Sequence, residues 1–321
     1  MAGYQPGQQL PSDDELGLIN QRPVPQHGWR KLIHRASMGV INPGESQHDI
    51  SQKALIDRVN QPVRGACSLA VLSMKGGVGK TTVTVGLGVT FASLRGDRVI
   101  AFDANPDFGT VAQRGPVETR STVRDLLLDN NIGRYSDMRR HTSQGHSRLE
   151  MLASERDPAV SKAFSANHYR AALTLLRRFY NIVLTDCGTG MVHSTMAGVL
   201  DEADMLVIVA SPAADAVRSS LATLDWLHHH GYSQLVSDAV IVISSPRSGP
   251  SPIDMATFAS GVGSRVRAVH GIPFDRHLAE GSEVSPDLMG RKTLRAFMGL
   301  AATIADGFGK AGQRPAGQHE S

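Results

Sequence analysis

The residues best suited to chemistry lie in one glycine-rich run, Ser73-Met74-Lys75-Gly76-Gly77-Val78-Gly79-Lys80-Thr81-Thr82, set between an apolar run at 68–72 and a helix-like run at 81–94. A strand that turns through glycines into a helix N-terminus gathers consecutive backbone N–H groups around an anion, and the helix dipole adds a partial positive charge. The result is a phosphate cradle. Lys80 is placed to neutralise the β- and γ-phosphates of a nucleotide and Thr81 to ligate Mg²⁺, with Gly76, Gly77, Val78, Gly79 and Thr82 supplying the loop around them. As a solvent-facing lysine, Lys80 is expected to carry ligand energy rather than core energy. The strict pattern G-x-x-x-x-G-K-[ST] asks for glycine where this chain has Met74, and Lys75 is an additional cation inside the loop. Two carboxylates complete the set, Asp103 and Asp186, each closing an apolar run; with Thr81 they are the candidate metal-facing oxygens.

The interval from Lys80 to Asp103 has room for one helix, with Gly96 expected as its C′ glycine, and one return strand at 98–102. That is a βαβ unit, whose two strand ends meet at one rim of a parallel sheet and turn Asp103 toward the phosphate site. A further apolar run at 180–184 ends in Thr185-Asp186-Cys187-Gly188-Thr189-Gly190. A carboxylate at a strand end followed by a glycine-containing turn suits a group that holds Mg²⁺ through water while the turn senses a γ-phosphate. Other expected strands lie at 149–153, 205–210, 239–243 and 266–270. A short capped helix is expected at 121–129, an irregular polar insertion at 131–147, and helices at 167–179, over the segment ending at Leu227, and through most of 286–308. In the last, Leu294, Phe297, Met298, Ala301, Ile304 and Phe308 form a core stripe. His228, His229 and His230 are consecutive, so they splay around a helix instead of converging on a metal, and helix C-terminal capping is the expected role.

The chain has 321 residues, 41% of them hydrophobic and 20% charged, which suits one large globular core with appendages. A net charge of +3 and a pI near 9.0 permit contact with nucleic acid or an anionic surface without requiring either. Cys67 and Cys187 match no metal spacing and read as buried thiols of a reduced, cytoplasmic protein. Residues 1–26 are rich in Gln, Pro, Gly and Asp and are expected to be disordered. In the helical extension at 27–63, the segment 28–41 sets Trp29, Leu32, Ile33, Ala36 and Val40 on one face and Arg30, Lys31, His34 and Arg35 on the other. This basic amphipathic helix is open to packing on the core, docking on a partner or contacting an anionic membrane. A second helical stretch follows at 47–59, the domain built around the phosphate cradle spans 64–310, and 311–321 is a polar tail.

The loop form K-G-G-x-G-K-T-T is a deviant Walker A sequence, and in it the chain resembles the ParA/MinD family of dimerising P-loop ATPases. The resemblance covers about residues 66–310 and takes in Asp103, Asp186 and the late Pro273-Phe274-Asp275 segment. It implies a mostly parallel sheet flanked by helices on both faces, ATP and Mg²⁺ as cofactors, and two protomers brought face to face by ATP. It also implies that Lys75 reaches the partner's nucleotide, and that Ser244, Ser245, Pro273, Phe274 and Asp275 hold the adenine. One departure matters: where the family has Asp-x-Asp, the second position here is Asn105, with Asp107 two residues on, so the carboxylate that helps to orient the attacking water is replaced by a neutral amide. Hydrolysis is therefore expected to be slow without a partner. A narrower likeness, in Trp29-Arg30-Lys31, Asn42-Pro43-Gly44, Asp103-Ala104-Asn105-Pro106-Asp107 and the Asp186 turn, is to actinobacterial MinD/ParA-like proteins associated with ESX (type VII) secretion, the EspI-like group.

The resemblance thus implies a cytoplasmic Mg²⁺–ATP-dependent dimerisation switch that positions or energises a secretion-machine partner, peripheral to a membrane if 28–41 docks there. Two alternatives stand beside it. One is a nucleoid-binding partitioning ATPase using Arg247, Arg265, Arg267, Arg291, Lys292 and Arg295 on phosphates, and the other is a nucleotide-gated binding module with little hydrolysis.

Overall fold

The computed structural model describes residues 47–105, 109–155, 164–189 and 194–311. The basic helix expected at 28–41, the two tails beyond these bounds and Asp107 lie outside the described residues. From Leu55 onward the chain forms one compact unit.

In chain order the elements are α1 (Gln47–Val59), β1 (Cys67–Ser73), α2 (Lys80–Leu94), β2 (Val99–Ala104), α3 (Val123–Leu128), α4 (Tyr135–Arg139), β3 (Ser143–Gln144) and β4 (Glu150–Leu152). They continue with α5 (Ala166–Leu176), β5 (Ile182–Thr189), α6 (Ser194–Glu202), β6 (Met205–Ala210), α7 (Ala214–His229), α8 (Ser233–Asp238) and β7 (Val240–Ser244). The last are α9 (Met255–Val262), β8 (Ala268–Ile272), α10 (Arg276–Ala279) and α11 (Arg291–Ala305). Among the described residues, eight strands form one sheet in the order β3-β4-β2-β5-β1-β6-β7-β8. Every neighbouring pair is parallel except β3 with β4.

The central strands are apolar throughout because both faces are covered. On β1, Leu69 and Val71 join the core beneath α2 and α11, while Ala70 and Leu72 join the core beneath α5, α6 and α7; β2 divides in the same way, Val99 and Ala101 against Ile100 and Phe102. Helix α2 carries glycines inside, each of which weakens a helix by about 0.5–1 kcal/mol relative to alanine. Gly86 is needed for space: a Cβ there would lie 2.4 Å from the Phe297 ring, and this gap lets α11 settle on α2. Burying Phe297 is worth about 1.5–3 kcal/mol, enough to offset the glycine.

Two local expectations are corrected. Gly96 is not a left-handed C′ residue; α2 stops at Arg95 in extended backbone. The stop comes from tertiary contacts, since the Arg95 guanidinium donates to the Val59 carbonyl, to the Gln61 carbonyl at 2.8 Å and to Asp97 at 2.6 Å, and lies over the Phe308 ring. The polar stretch 131–147 is not irregular, because it forms α4 and β3. Its anchor is the buried Glu150, whose carboxylate accepts from the hydroxyls of Tyr135, Thr142 (2.7 Å) and Tyr180 (2.5 Å). A polar segment can fold firmly when a buried carboxylate satisfies it, and no hydrophobic period announces that.

Candidate nucleotide site

The site forms toward the C-terminal ends of β1, β2 and β5 on one rim of the sheet, where Asp186 on β5 is in register with Val71 on β1 and with Asp103 on β2. The loop from β1 enters α2 through Gly79, whose φ of +91° only glycine adopts freely and whose Cβ, if present, would lie 2.8 Å from the Ser244 hydroxyl. Gly76 and Gly77 border open space. This is a cradle of backbone amides with room for an anion at a helix N-terminus.

A cavity of about 440 Å³ opens on the loop. It is lined by Lys75, Gly76, Gly77, Gly79, Lys80, Thr81 and Thr82, by Asn105, and by the expected base-side group Ser244, Ser245, Pro273, Phe274 and Asp275. Val78 does not line it; the side chain is buried in the core and only its backbone serves the loop. Asp275 spends its carboxylate on the fold, accepting from the amides of Leu278 (3.3 Å) and Gly290 (2.9 Å) and capping α10. Burial pushes its carboxyl upward, but those amides and the Thr293 hydroxyl hold it below the usual range.

Behind the cradle Asp186 draws three groups together. Its carboxylate accepts from Lys80 Nζ at 2.8 Å, Thr81 Oγ1 at 2.6 Å and Thr84 Oγ1 at 3.2 Å. The expectation of a solvent-facing Lys80 is overturned: only 9% of its side chain is exposed and 1% of that of Asp186, because Lys80 folds down onto the Asp186 carboxylate, which lies inside β5 and not at the strand end expected from the sequence. Asp103 is also buried, accepting from the amides of Asn105 (3.1 Å) and Val111 (3.0 Å). Its carboxyl is pushed up to about 7, first by burial and then by the Asp186 charge, against the pull of those amides and of Lys80. It borders a second cavity of about 380 Å³ together with Asn105, Val123, Leu127 and Phe164, instead of opening on the first. Lys75 pairs with Asp215 at the start of α7, both largely exposed.

Four participants went unnoticed in the sequence. Thr84, one turn into α2, and Thr110, which donates to Thr81 Oγ1 at 3.1 Å, have no motif position. Asp215 lies 140 residues from Lys75. Arg114, at the end of a 3₁₀ turn (Val111–Arg114), lines the main cavity. Burial lowers its affinity for the proton, and the Asp186 charge works the other way. A polar residue type at a position of no fixed spacing was the only signal any of them gave. Elsewhere the His229 and His230 rings bond to the Asp225 and Trp226 carbonyls, as expected of helix-end capping, and Cys67 and Cys187 are both buried, burial pushing the Cys187 thiol up to about 12.

The oxygen donors fit Mg²⁺, which favours a hydroxyl and one or two carboxylates together with substrate phosphates. Thr81 and Asp186 supply such a pair at 2.6 Å. The model of the CobQ/CobB/MinD/ParA nucleotide binding domain matches residues 69–310. The chain belongs to this family. Within the MinD/ParA group it is 36% identical over 293 residues to the ESX-1 secretion-associated protein EspI of Mycobacterium tuberculosis, covering 91% of this chain and 44% of that one, so it spans less than half of that relative's length. It is 30% identical over 174 residues to a putative septum site-determining protein MinD of Nephroselmis olivacea, half of this chain and 58% of the other. Among solved structures, a ParA family ATPase from Chlorobium tepidum superposes with a TM-score of 0.60 at 16% identity, over 74% of this chain and 98% of the other. MinD of Pyrococcus horikoshii, complexed with Mg-ADP, superposes at 0.57 and 20% identity, over 74% of this chain and 94% of the other. These two bear out the MinD/ParA fold.

Proposed function

We propose that the chain is a Mg²⁺–ATP-dependent dimerising ATPase, slow on its own, that positions or energises a partner machine, and that the machine belongs to type VII secretion. The observation carrying the nucleotide reading is the junction of Lys80, Thr81 and Asp186 beneath a glycine cradle that opens into a cavity of nucleotide size. Lys80 takes up phosphate charge, the loop amides orient the polyphosphate, and Ser244, Ser245, Pro273 and Phe274 receive the base. Thr81 and Asp186, with Asp103 behind them, hold Mg²⁺, which supplies charge neutralisation at the phosphates when bound. Hydrolysis is slow because Asn105 can hold a water by hydrogen bonds but cannot accept its proton, unless Asp107 or a partner supplies the missing carboxylate. Lys75 acts in trans on the other protomer's phosphates, as an arginine finger does.

The secretion assignment is supported by the likeness to EspI, and the partner, the cytoplasmic location and membrane contact through 28–41 belong to the same proposal. So does the division into a 1–26 tail, a 27–63 extension, a 64–310 ATPase unit and a 311–321 tail. No helix among the described residues is long and apolar enough to cross a membrane. For the nucleoid-binding alternative, Arg265 and Arg267 are already committed to Asp225 and Asp238, which weakens the phosphate-contact set. Calorimetric titration of the full chain with ATP, with and without Mg²⁺, combined with light scattering, tests the reading. Magnesium-dependent binding and an ATP-specific doubling of mass are expected; a monomer that ignores ATP would end it.

A further inference from the structure

Three cations line the main cavity: Lys75, Lys80 and Arg114. Lys80 lies on Asp186 and Lys75 on Asp215. Among the described residues Arg114 forms no ion pair, and its side-chain hydrogen bond is a long one, 3.4 Å, to the Leu278 carbonyl. We propose that Arg114 is a further nucleotide-binding residue, which grips the phosphate anion in cis through its guanidinium. This rests on the nucleotide reading of the cavity.

The charge balance favours it. Each lysine of the cavity already has a carboxylate, so the Arg114 charge is the one not yet committed among the described residues, in a wall that has partly dehydrated it. A half-buried guanidinium has five donors in a planar fork, and phosphate oxygens match that fork better than a lone carbonyl does. The position is also held in place. The Arg114 carbonyl accepts from the Val284 amide at 2.9 Å, and the 3₁₀ turn that presents the side chain begins at Val111, whose amide holds Asp103. The residue before that turn, Thr110, is bonded to Thr81. The turn therefore joins the Arg114 side chain to two of the three oxygen groups assigned to magnesium, Thr81 and Asp103, and a phosphate drawn to Arg114 bears on the turn that positions Asp103.

The competing reading is that Arg114 only packs the turn against the 276–284 segment. The two separate in the ratio of ATP affinity to adenosine affinity, measured by calorimetry on the full chain with Mg²⁺ for wild type, Arg114→Gln and Arg114→Lys. Because the ratio is taken within each sample, a partly unfolded variant does not distort it. A charge-assisted phosphate contact is worth about ten- to a hundredfold in affinity, so Arg114→Gln should lower the ratio by that factor, with ADP affected as well, and Arg114→Lys should recover part of it. An unchanged ratio in Arg114→Gln would overturn the proposal. Absence of ATP binding in wild type would instead remove the nucleotide reading, and this inference with it.

Discussion

Replacing Lys80 tests fold and function together, because the ammonium group is buried against a buried carboxylate. In Lys80→Ala, Asp186 keeps the Thr81 and Thr84 hydroxyls but loses its cation, and Asp103 remains its partner on the neighbouring strand β2. Removing one member of a buried ion pair costs about 3–5 kcal/mol, far more than the loss of an exposed lysine. For a chain of this size each kcal/mol moves the melting temperature by roughly 2–4 °C, so a fall on the order of 10 °C is expected. Phosphate binding should vanish with it. Differential scanning calorimetry reads the first effect and ATP titration, well below the new transition, the second. The double variant Lys80→Ala/Asp186→Asn removes the orphaned charge and should melt above the single variant. The reasoning fails if Lys80→Ala melts within about 2 °C of wild type, or if the double variant is no more stable than the single one, since burial of an uncompensated carboxylate would then not be what the lysine prevents.

Lys75→Ala should keep nucleotide binding and lose ATP-dependent dimerisation in light scattering; a persistent dimer would exclude the trans role. Asn105→Asp should raise single-turnover hydrolysis, whereas no change there combined with abolition of turnover by Asp107→Ala would make Asp107 the water-orienting carboxylate. Asp103 makes stability depend on pH. Folding raises its pKa from 3.8 to about 7, so the native state holds the proton more tightly than the unfolded chain, and the stabilisation present below pH 3.8 is lost as pH rises through 7. Asp103→Asn should therefore gain on wild type in melting temperature between about pH 4 and pH 7, and a constant difference across that window would count against the burial argument.

The parts of the molecule that the sequence made legible are those governed by local rules. The runs that became β1, β2, β5, β6 and β7 are apolar because two cores cover them, and glycines at the first crossover mark a loop whose φ and space demand them. Asp103 falls one residue before the end of β2, as expected, whereas Asp186 lies inside β5, because that strand runs on through Cys187, Gly188 and Thr189 to pair with its neighbours. What escaped depends on pairing over distance. Glu150 organises α4 and β3 through hydroxyls that sit 8, 15 and 30 residues away. Arg95 ends α2 through carbonyls some 35 residues upstream, where a glycine rule pointed to Gly96. The sequence points Lys80 into solvent because a motif states which atom meets phosphate and not what the side chain rests on before it does.

The two lysines of the loop differ in how easily they can be released. The Lys75–Asp215 pair is 43% and 65% exposed, and such pairs contribute only about 0–1 kcal/mol, so Lys75 can leave Asp215 with little loss. Lys80 and Asp186 are buried, and the Asp186 carboxylate also accepts from the Thr81 and Thr84 hydroxyls, so separating the pair without replacement is expensive. In the proposed switch this difference assigns the order of events. Lys80 can turn from Asp186 only where phosphate takes the lysine and a cation at Thr81 takes the carboxylate, so nucleotide and metal must enter together. Lys75 has no such requirement, and its exposed, weakly held charge is available to a second protomer once the first exchange has been made.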